Sequence, residues 1–238
     1  MNPMLYSRRR VALWGGLLLL ALLPAFISLG LWQWNKGQAK LARQAELDAL
    51  SRGPALAMPM EAASPESLRH RRFALQGEFD PARQILIDNR VQQGQAGYYV
   101  VTPLKLAGSD LRVLVNRGWV QAPADHRRVP EVLPPTGPVS ITGVAIVPAE
   151  RFFTLAPAPA AGWEPVWQNL DLQRFRAGVP YALQPVVIQL DPDSPGGYGR
   201  DWPRPEEGAD HNLGYAMQWF GFAVASLAIW LYFLVRRP

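Results

Sequence analysis

Two charge-free apolar stretches bound this chain, Val11–Leu31 near one end and Leu213–Val235 near the other. As helices rising 1.5 Å per residue they reach about 32 Å and about 35 Å, enough to cross a hydrocarbon core of roughly 30 Å. The sequence therefore predicts two transmembrane helices, residues 11–34 and 213–235, around a polar segment 35–212, with short tails 1–10 and 236–238. The first is expected to be an uncleaved anchor, since signal-peptide apolar regions are shorter. Trp14, Trp32 and Trp34 fit the two membrane interfaces, and Trp219, Trp230 and Tyr232 fit interfaces or a partner helix.

Orientation follows from charge. Arg8, Arg9 and Arg10 abut the first stretch and Arg236 and Arg237 the second, with no acid in either tail. Basic residues beside a span favour the cytoplasmic side. Lys36, Lys40 and Arg43 follow the first stretch, and Arg200 and Arg204 precede the second. A simple count nearly balances, but long translocated segments largely escape the rule. Both termini are expected in the cytoplasm, with the middle domain on the other side.

The net charge of +5 is carried by those five tail arginines, because residues 35–212 hold 19 basic and 19 acidic side chains. A neutral domain lacks the electrostatic footprint of a nucleic-acid binder, so no nucleic-acid partner is expected. The absence of cysteine removes disulfides and thiolate metal sites.

Within the domain, Gln38–Arg52 carries one apolar stripe and stops at Gly53-Pro54, which predicts a helical stalk continuing the first span. Pro65–Arg72 predicts another helical turn or two. Strand patterning covers Phe73–Phe79, Gln84–Arg90, Gly97–Leu106, Leu111–Val120, Val139–Val147 and Ala182–Leu190. The loop Ala107-Gly108-Ser109-Asp110 marks a hairpin, and Leu170–Arg176 a short helix. Asp191–Ala209, rich in Gly, Pro and charge, reads as a surface loop or tether. The expected architecture is a membrane protein with two helices flanking a β-rich extracytoplasmic domain, a small barrel or a curved antiparallel sheet with minor helices.

Chemistry-bearing residues are sparse. His70 and His126 sit among arginines, where a metal cation is disfavoured, and no His or carboxylate pair has metal-ligand spacing. No catalytic residue and no metal site is expected. Asn116-Arg117-Gly118-Trp119 reads as a bulged strand end, with Gly118 allowing close backbone approach and Trp119 covering the gap. Arg117 could then pair with an acid such as Asp88 or clamp a ligand carboxylate, the internal ion pair being the preferred reading. Asp88-Asn89-Arg90 reads as a strand leading into a turn. His211, two residues before the second span, is either a polar helix cap or an axial ligand to a haem partly buried in lipid.

Four blocks together suggest a family: Leu29–Lys40 (LGLWQWNKGQAK), Gly97–Leu104 (GYYVVTPL), Val113–Val120 (VLVNRGWV) and Leu213–Phe220 (LGYAMQWF). Spread over nearly the whole chain, they resemble the Surfeit-locus-one family of cytochrome c oxidase assembly factors. The resemblance implies a non-catalytic factor of a bacterial inner membrane, with a periplasmic domain. It would assist the haem a-containing catalytic subunit of a haem–copper oxidase, with haem a as a transient cofactor and the haem a synthesis machinery as a further partner. Motif residues Trp32, Gln33, Asn116, Arg117, Gly118, Trp119, Tyr215, Gln218 and Trp219 become candidate partner contacts, and His211 the candidate haem contact. Two departures stand out. Lys36 and Ala39 replace the family's arginine and tryptophan after the first span, and Asn212 occupies the place of its histidine, with His211 one residue earlier. The other classes compatible with the sequence are a membrane-tethered periplasmic enzyme and a structural accessory subunit of a respiratory complex.

Overall fold

A computed structural model describes residues 3–125, 128–148, 163–202 and 208–235. The chain divides into two compact units, one holding residues 1–46 and 204–238 and the other Leu47–Pro203.

The first unit is a pair of long helices, both long and apolar enough to cross a membrane. Helix α1 spans Pro3–Arg52 without a break, as the continuous helical pattern up to Gly53-Pro54 requires. The C-terminal helix covers Ala209–Val235. They run antiparallel, since Gly16 meets Trp230, Gly30 meets Phe220 and Gly37 meets Leu213. On α1 the more buried positions include Gly30, Gln33, Gly37 and Lys40; on the C-terminal helix they include Asn212, Ala216, Trp219, Ala223, Ser226 and Trp230. Spacings of three and four alternate on both, the repeat of a helix seam. Glycine and alanine in that seam let large side chains enter, because apolar driving force is absent in lipid and close packing must replace it. A Cβ on Gly30 would lie 2.5 Å from the Phe220 ring.

The second unit is built on a closed barrel. Ahead of it come β1 (Leu56–Ala57) and a short helix α2 (Pro65–Leu68). Strands β2 (Arg72–Phe79), β3 (Ile85–Gln92), β4 (Gln95–Leu106), β5 (Arg112–Gln121) and β6 (Pro138–Ile146) follow. After them lie β7 (Val166–Trp167), α3 (Leu172–Ala177) and β8 (Leu183–Leu190); the C-terminal helix is α4. Sheet order β2-β6-β8-β5-β4 closes through a second pairing of β2 with β4. All neighbours in that ring are antiparallel except β5 and β8. This is the Greek-key arrangement of an OB-fold barrel. Closure happens at Gly77, where β2 leaves β6 for β4; a Cβ there would strike the Lys105 carbonyl oxygen. β3 then continues the path of β2 along β4, after a turn capped by Asp80, whose Oδ1 accepts from Ala82 N at 3.2 Å.

Alternation of buried and exposed residues along β2 puts Phe73, Leu75 and Phe79 inside the barrel with Leu104, Val113, Val115, Ile141, Ile188 and Leu190. The outer face of β3, β4, β5 and β8 is apolar too. There Ile87, Val101, Leu114 and Val187 pack under Trp163, Trp167 and Phe175. Burying a side chain such as Phe175 stabilises the fold by roughly 1.5–3 kcal/mol. Asp171 caps α3, its Oδ1 accepting from Gln173 N and Arg174 N at 2.9 Å each.

Of the two expected shapes, the structure is the barrel. Asp88-Asn89-Arg90 lies in β3 as a strand leading into a turn, with a register shift at Asn89, whose φ is +58°, and the chain reverses at Gln93-Gly94. The segment after Asp191, expected as a surface loop or tether, is a loop fastened to the barrel as far as Gly199, because its backbone bonds to Arg117 and Trp119.

Candidate functional site

In the barrel, the candidate residues gather where β5 is bulged. Tyr99 pairs with Trp119 and Val101 with Asn116, so β5 carries an extra residue across the shift. Gly118 takes φ +122°, and its N donates to Asn116 Oδ1 at 3.2 Å. A Cβ on Gly118 would lie 2.7 Å from the Gly199 carbonyl oxygen, so the bulge needs glycine for both torsion and space.

The bulge turns Arg117 inward, where its residue is 1% exposed. Nε donates to Gly196 O at 2.7 Å, Nη2 to Leu133 O at 3.0 Å, and Nη1 to Gln84 Oε1 at 3.1 Å and Thr102 Oγ1 at 3.4 Å. The rings of Phe79 and Tyr198 lie 5.3 Å and 5.1 Å from the guanidinium carbon. Burial pushes this guanidinium below its ordinary pKa; Tyr198 works against that shift, and the positive charge of Arg200 adds to it. The expected ion pair with Asp88 does not form. Asp88 Oδ1 accepts from Asn89 N at 2.6 Å, and the acceptors around Arg117 are neutral. A buried cation is tolerable when its donors are satisfied. Here they fasten two loops, around Leu133 and Gly196, to one strand.

Trp119 completes the knot. Its Nε1 donates to Arg90 O at 2.7 Å, and its ring fills the place where Gly97 has no side chain. Its backbone N donates to Gly199 O at 2.7 Å and its O accepts from Gly199 N at 3.0 Å, while Tyr198 N donates to Arg117 O at 2.8 Å. Gln84, Thr102, Tyr198 and Gly199 were not among the expected site residues. The available signal was the demand itself: an arginine inside an otherwise apolar strand needs acceptors, and Gln84 and Thr102 are polar residues of neighbouring strand patterns.

In the helix pair, Asn212 Nδ2 donates to Gln33 Oε1 at 2.6 Å. Trp219 stacks on Phe26 with centroids 5.9 Å apart. Trp219 and Trp230 thus face α1, whereas Tyr232 is exposed. Trp32 is exposed with Lys36 Nζ 4.2 Å from its ring centroid. Tyr215, Gln218 and His211 are also exposed. The seam therefore holds Gln33, Asn212 and Trp219 and leaves the other candidates on its outside. Among the described residues no three His, Cys, Asp or Glu side chains gather as a metal site. His126 lies outside the described residues.

Two membrane-length apolar helices near the ends of a chain whose middle is a closed five-stranded barrel define the class as a two-pass membrane protein with a β-barrel domain. Residues 20–224 match the model of the SURF1 family, and the chain belongs to that family. It is 26% identical to Surfeit locus protein 1 of Rattus norvegicus over 230 residues, covering 88% of this chain and 72% of the relative. It is 27% identical to a SURF1-like protein of Rickettsia felis over 243 residues, covering 93% and 96%. A SURF1-like protein of Monosiga brevicollis is 29% identical over 225 residues, covering 88% and 83%.

Proposed function

We propose that this protein is an assembly factor for haem–copper cytochrome c oxidase, acting on the haem a-containing catalytic subunit without catalysing a reaction. The observation that carries the reading is the family match over residues 20–224. Support comes from where the shared blocks fall. VLVNRGWV builds a buried knot, and the blocks at Leu29–Lys40 and Leu213–Phe220 build the helix seam and its exposed rim. The partners are that subunit, the haem a synthesis machinery and membrane lipid. The setting is a bacterial inner membrane, with both termini cytoplasmic and the barrel periplasmic, as the tail arginines favour.

Haem a handling is part of the proposal. An exposed imidazole at the start of α4 meets the donor requirement of haem iron. His211 would hold the iron, and haem would supply the visible absorption that reports it. Asn212, by contrast, faces Gln33 and offers no imidazole.

Deletion of the gene should lower assembled oxidase and its haem a content while other respiratory complexes persist; normal oxidase would sink the reading. For the cofactor, the visible spectrum of the protein purified in mild detergent from cells making haem a is compared with that of His211→Ala. A band lost in the variant places haem at His211, and a surviving band removes His211 as the essential ligand. Absence of a band in both would leave a protein-binding chaperone.

A further inference from the structure

Lys36, Lys40 and Arg43 stand where orientation gives them no role, since cations at this end of the first span oppose the signal of Arg8–Arg10. With Trp32 they recur at intervals of four, four and three on a continuous helix. At 100° per residue all four fall within an arc of about 80°. Trp32 is 51% exposed, and Lys36 Nζ lies 4.2 Å from its ring centroid. Lys40 Nζ lies 3.9 Å from where a Cβ on Gly208 would stand, at the start of α4. Among the described residues no carboxylate is within ion-pair distance of Lys36 or Lys40. The nearest acids along α1 are Glu46 and Asp48, and Asp48 takes Arg52 at 3.1 Å; Asp210 lies in the first turn of α4.

Depth selects the ligand. Trp32 belongs at the edge of the hydrocarbon, and the headgroup layer beyond it is roughly 5–8 Å thick. Lys36 rises about 6 Å past Trp32 and Lys40 about 12 Å. Helical side chains lean toward the N-terminus, here back toward the membrane, as the placing of Lys36 over Trp32 shows. The Lys36 ammonium therefore reaches the level of lipid phosphates, and Lys40, whose ammonium stands by the start of α4, closes the outer side of that layer. We propose that Trp32, Lys36 and Lys40, with Arg43 a turn further out, form a docking face for the phosphate of an anionic phospholipid where α1 leaves the membrane. The ring rests against the glycerol and upper acyl chain, and the two ammonium groups flank the phosphate.

The test is native mass spectrometry of the full chain in detergent, titrated with phosphatidylglycerol and separately with phosphatidylcholine. The wild type should retain phosphatidylglycerol preferentially. Lys36→Gln/Lys40→Gln should weaken that retention about 30-fold, taking roughly fivefold per cation. Lys36→Arg/Lys40→Arg should keep it, as should Arg69→Gln/Arg176→Gln, which removes equal charge from the barrel unit. Equal retention of both lipids, or undiminished retention by the glutamine variant, would overturn the proposal. So would displacement of the lipid by an equal concentration of glycerol phosphate, which would make a free phosphate ester the occupant.

Discussion

Asn212 Nδ2 lies 2.6 Å from Gln33 Oε1, joining α4 to α1 at the polar end of their seam. One neutral amide donates to the other there, without a charge. Such interhelical bonds contribute about 0.6 kcal/mol on average and up to about 1.7 kcal/mol. Asn212→Leu and Gln33→Leu should each lower thermal stability in detergent, and the double variant should lose less than the sum. Additive losses would show that the two amides do not act as a pair.

The absence of cysteine makes the seam directly testable. A Cβ on Gly37 would lie 3.0 Å from Leu213 Cγ, so cysteines at both positions fall within bridging reach. Gly37→Cys/Leu213→Cys should crosslink under mild oxidation in membranes, and Gly37→Cys/Gln218→Cys should not. Adding Gly30→Leu should suppress the crosslink, because a side chain there collides with the Phe220 ring.

Arg117 is a fastening rather than a ligand clamp in this structure, with four acceptors: two loop carbonyls, Gln84 just before β3, and Thr102 on β4. Lysine offers one compact ammonium and cannot reproduce that fork. Arg117→Lys should destabilise the barrel by about 3 kcal/mol, in the range for lost bonds to a charged group. Hydrogen exchange should locate the effect: the amides of Tyr198 and Trp119 should open first, while that of Ile188 in the barrel core stays protected. Uniform loss of protection would refute a local latch.

Local signals in the chain carried most of the elements. Period-two burial along β2, the turn residues between β4 and β5, and Gly53-Pro54 at the end of α1 each state their own conformation. Closure of the barrel was not legible, because it depends on Gly77 meeting Lys105 across a register that no local pattern encodes. The covering of the outer sheet face by Trp163, Trp167 and Phe175 was hidden in the same way, since two tryptophans and the phenylalanine of a short helix do not name the surface they cover. At the knot, Gly118 and Trp119 could be read as a bulge and its cover. The acceptors of Arg117 could not, because they come from residues 15 to 79 positions away.

Trp119 separates cover from hydrogen bond. Trp119→Phe keeps a ring over Gly97 but loses the donor to Arg90 O, and should cost about 1 kcal/mol. Trp119→Ala also empties the space beside Gly97 and should cost about 3 kcal/mol. Chemical denaturation of the full chain measures both. If Trp119→Ala left stability unchanged yet abolished support of the oxidase, the residue would be a partner contact instead.

Tyr181 gives the barrel a weakness in alkali. Its ring lies under the Arg112 guanidinium, 3.6 Å from centroid to carbon, and among the described residues its buried hydroxyl has no hydrogen-bond partner. Burial first, then the charge of Asp80, pushes its pKa up to about 12, against the opposing pull of Arg112 and Arg83. A phenol whose folded pKa exceeds the unfolded value of about 10 holds its proton more tightly when native. Its contribution is therefore complete below about pH 10 and is lost as pH rises from about 10 to about 12. Denaturation midpoints taken across that window should fall steeply in the wild type. Tyr181→Phe has no proton to lose and should fall less, leaving the slope contributed by Tyr98 and Tyr99, whose pKa values burial also raises. Identical slopes in the two proteins would show that Tyr181 ionises as freely in the fold as outside it.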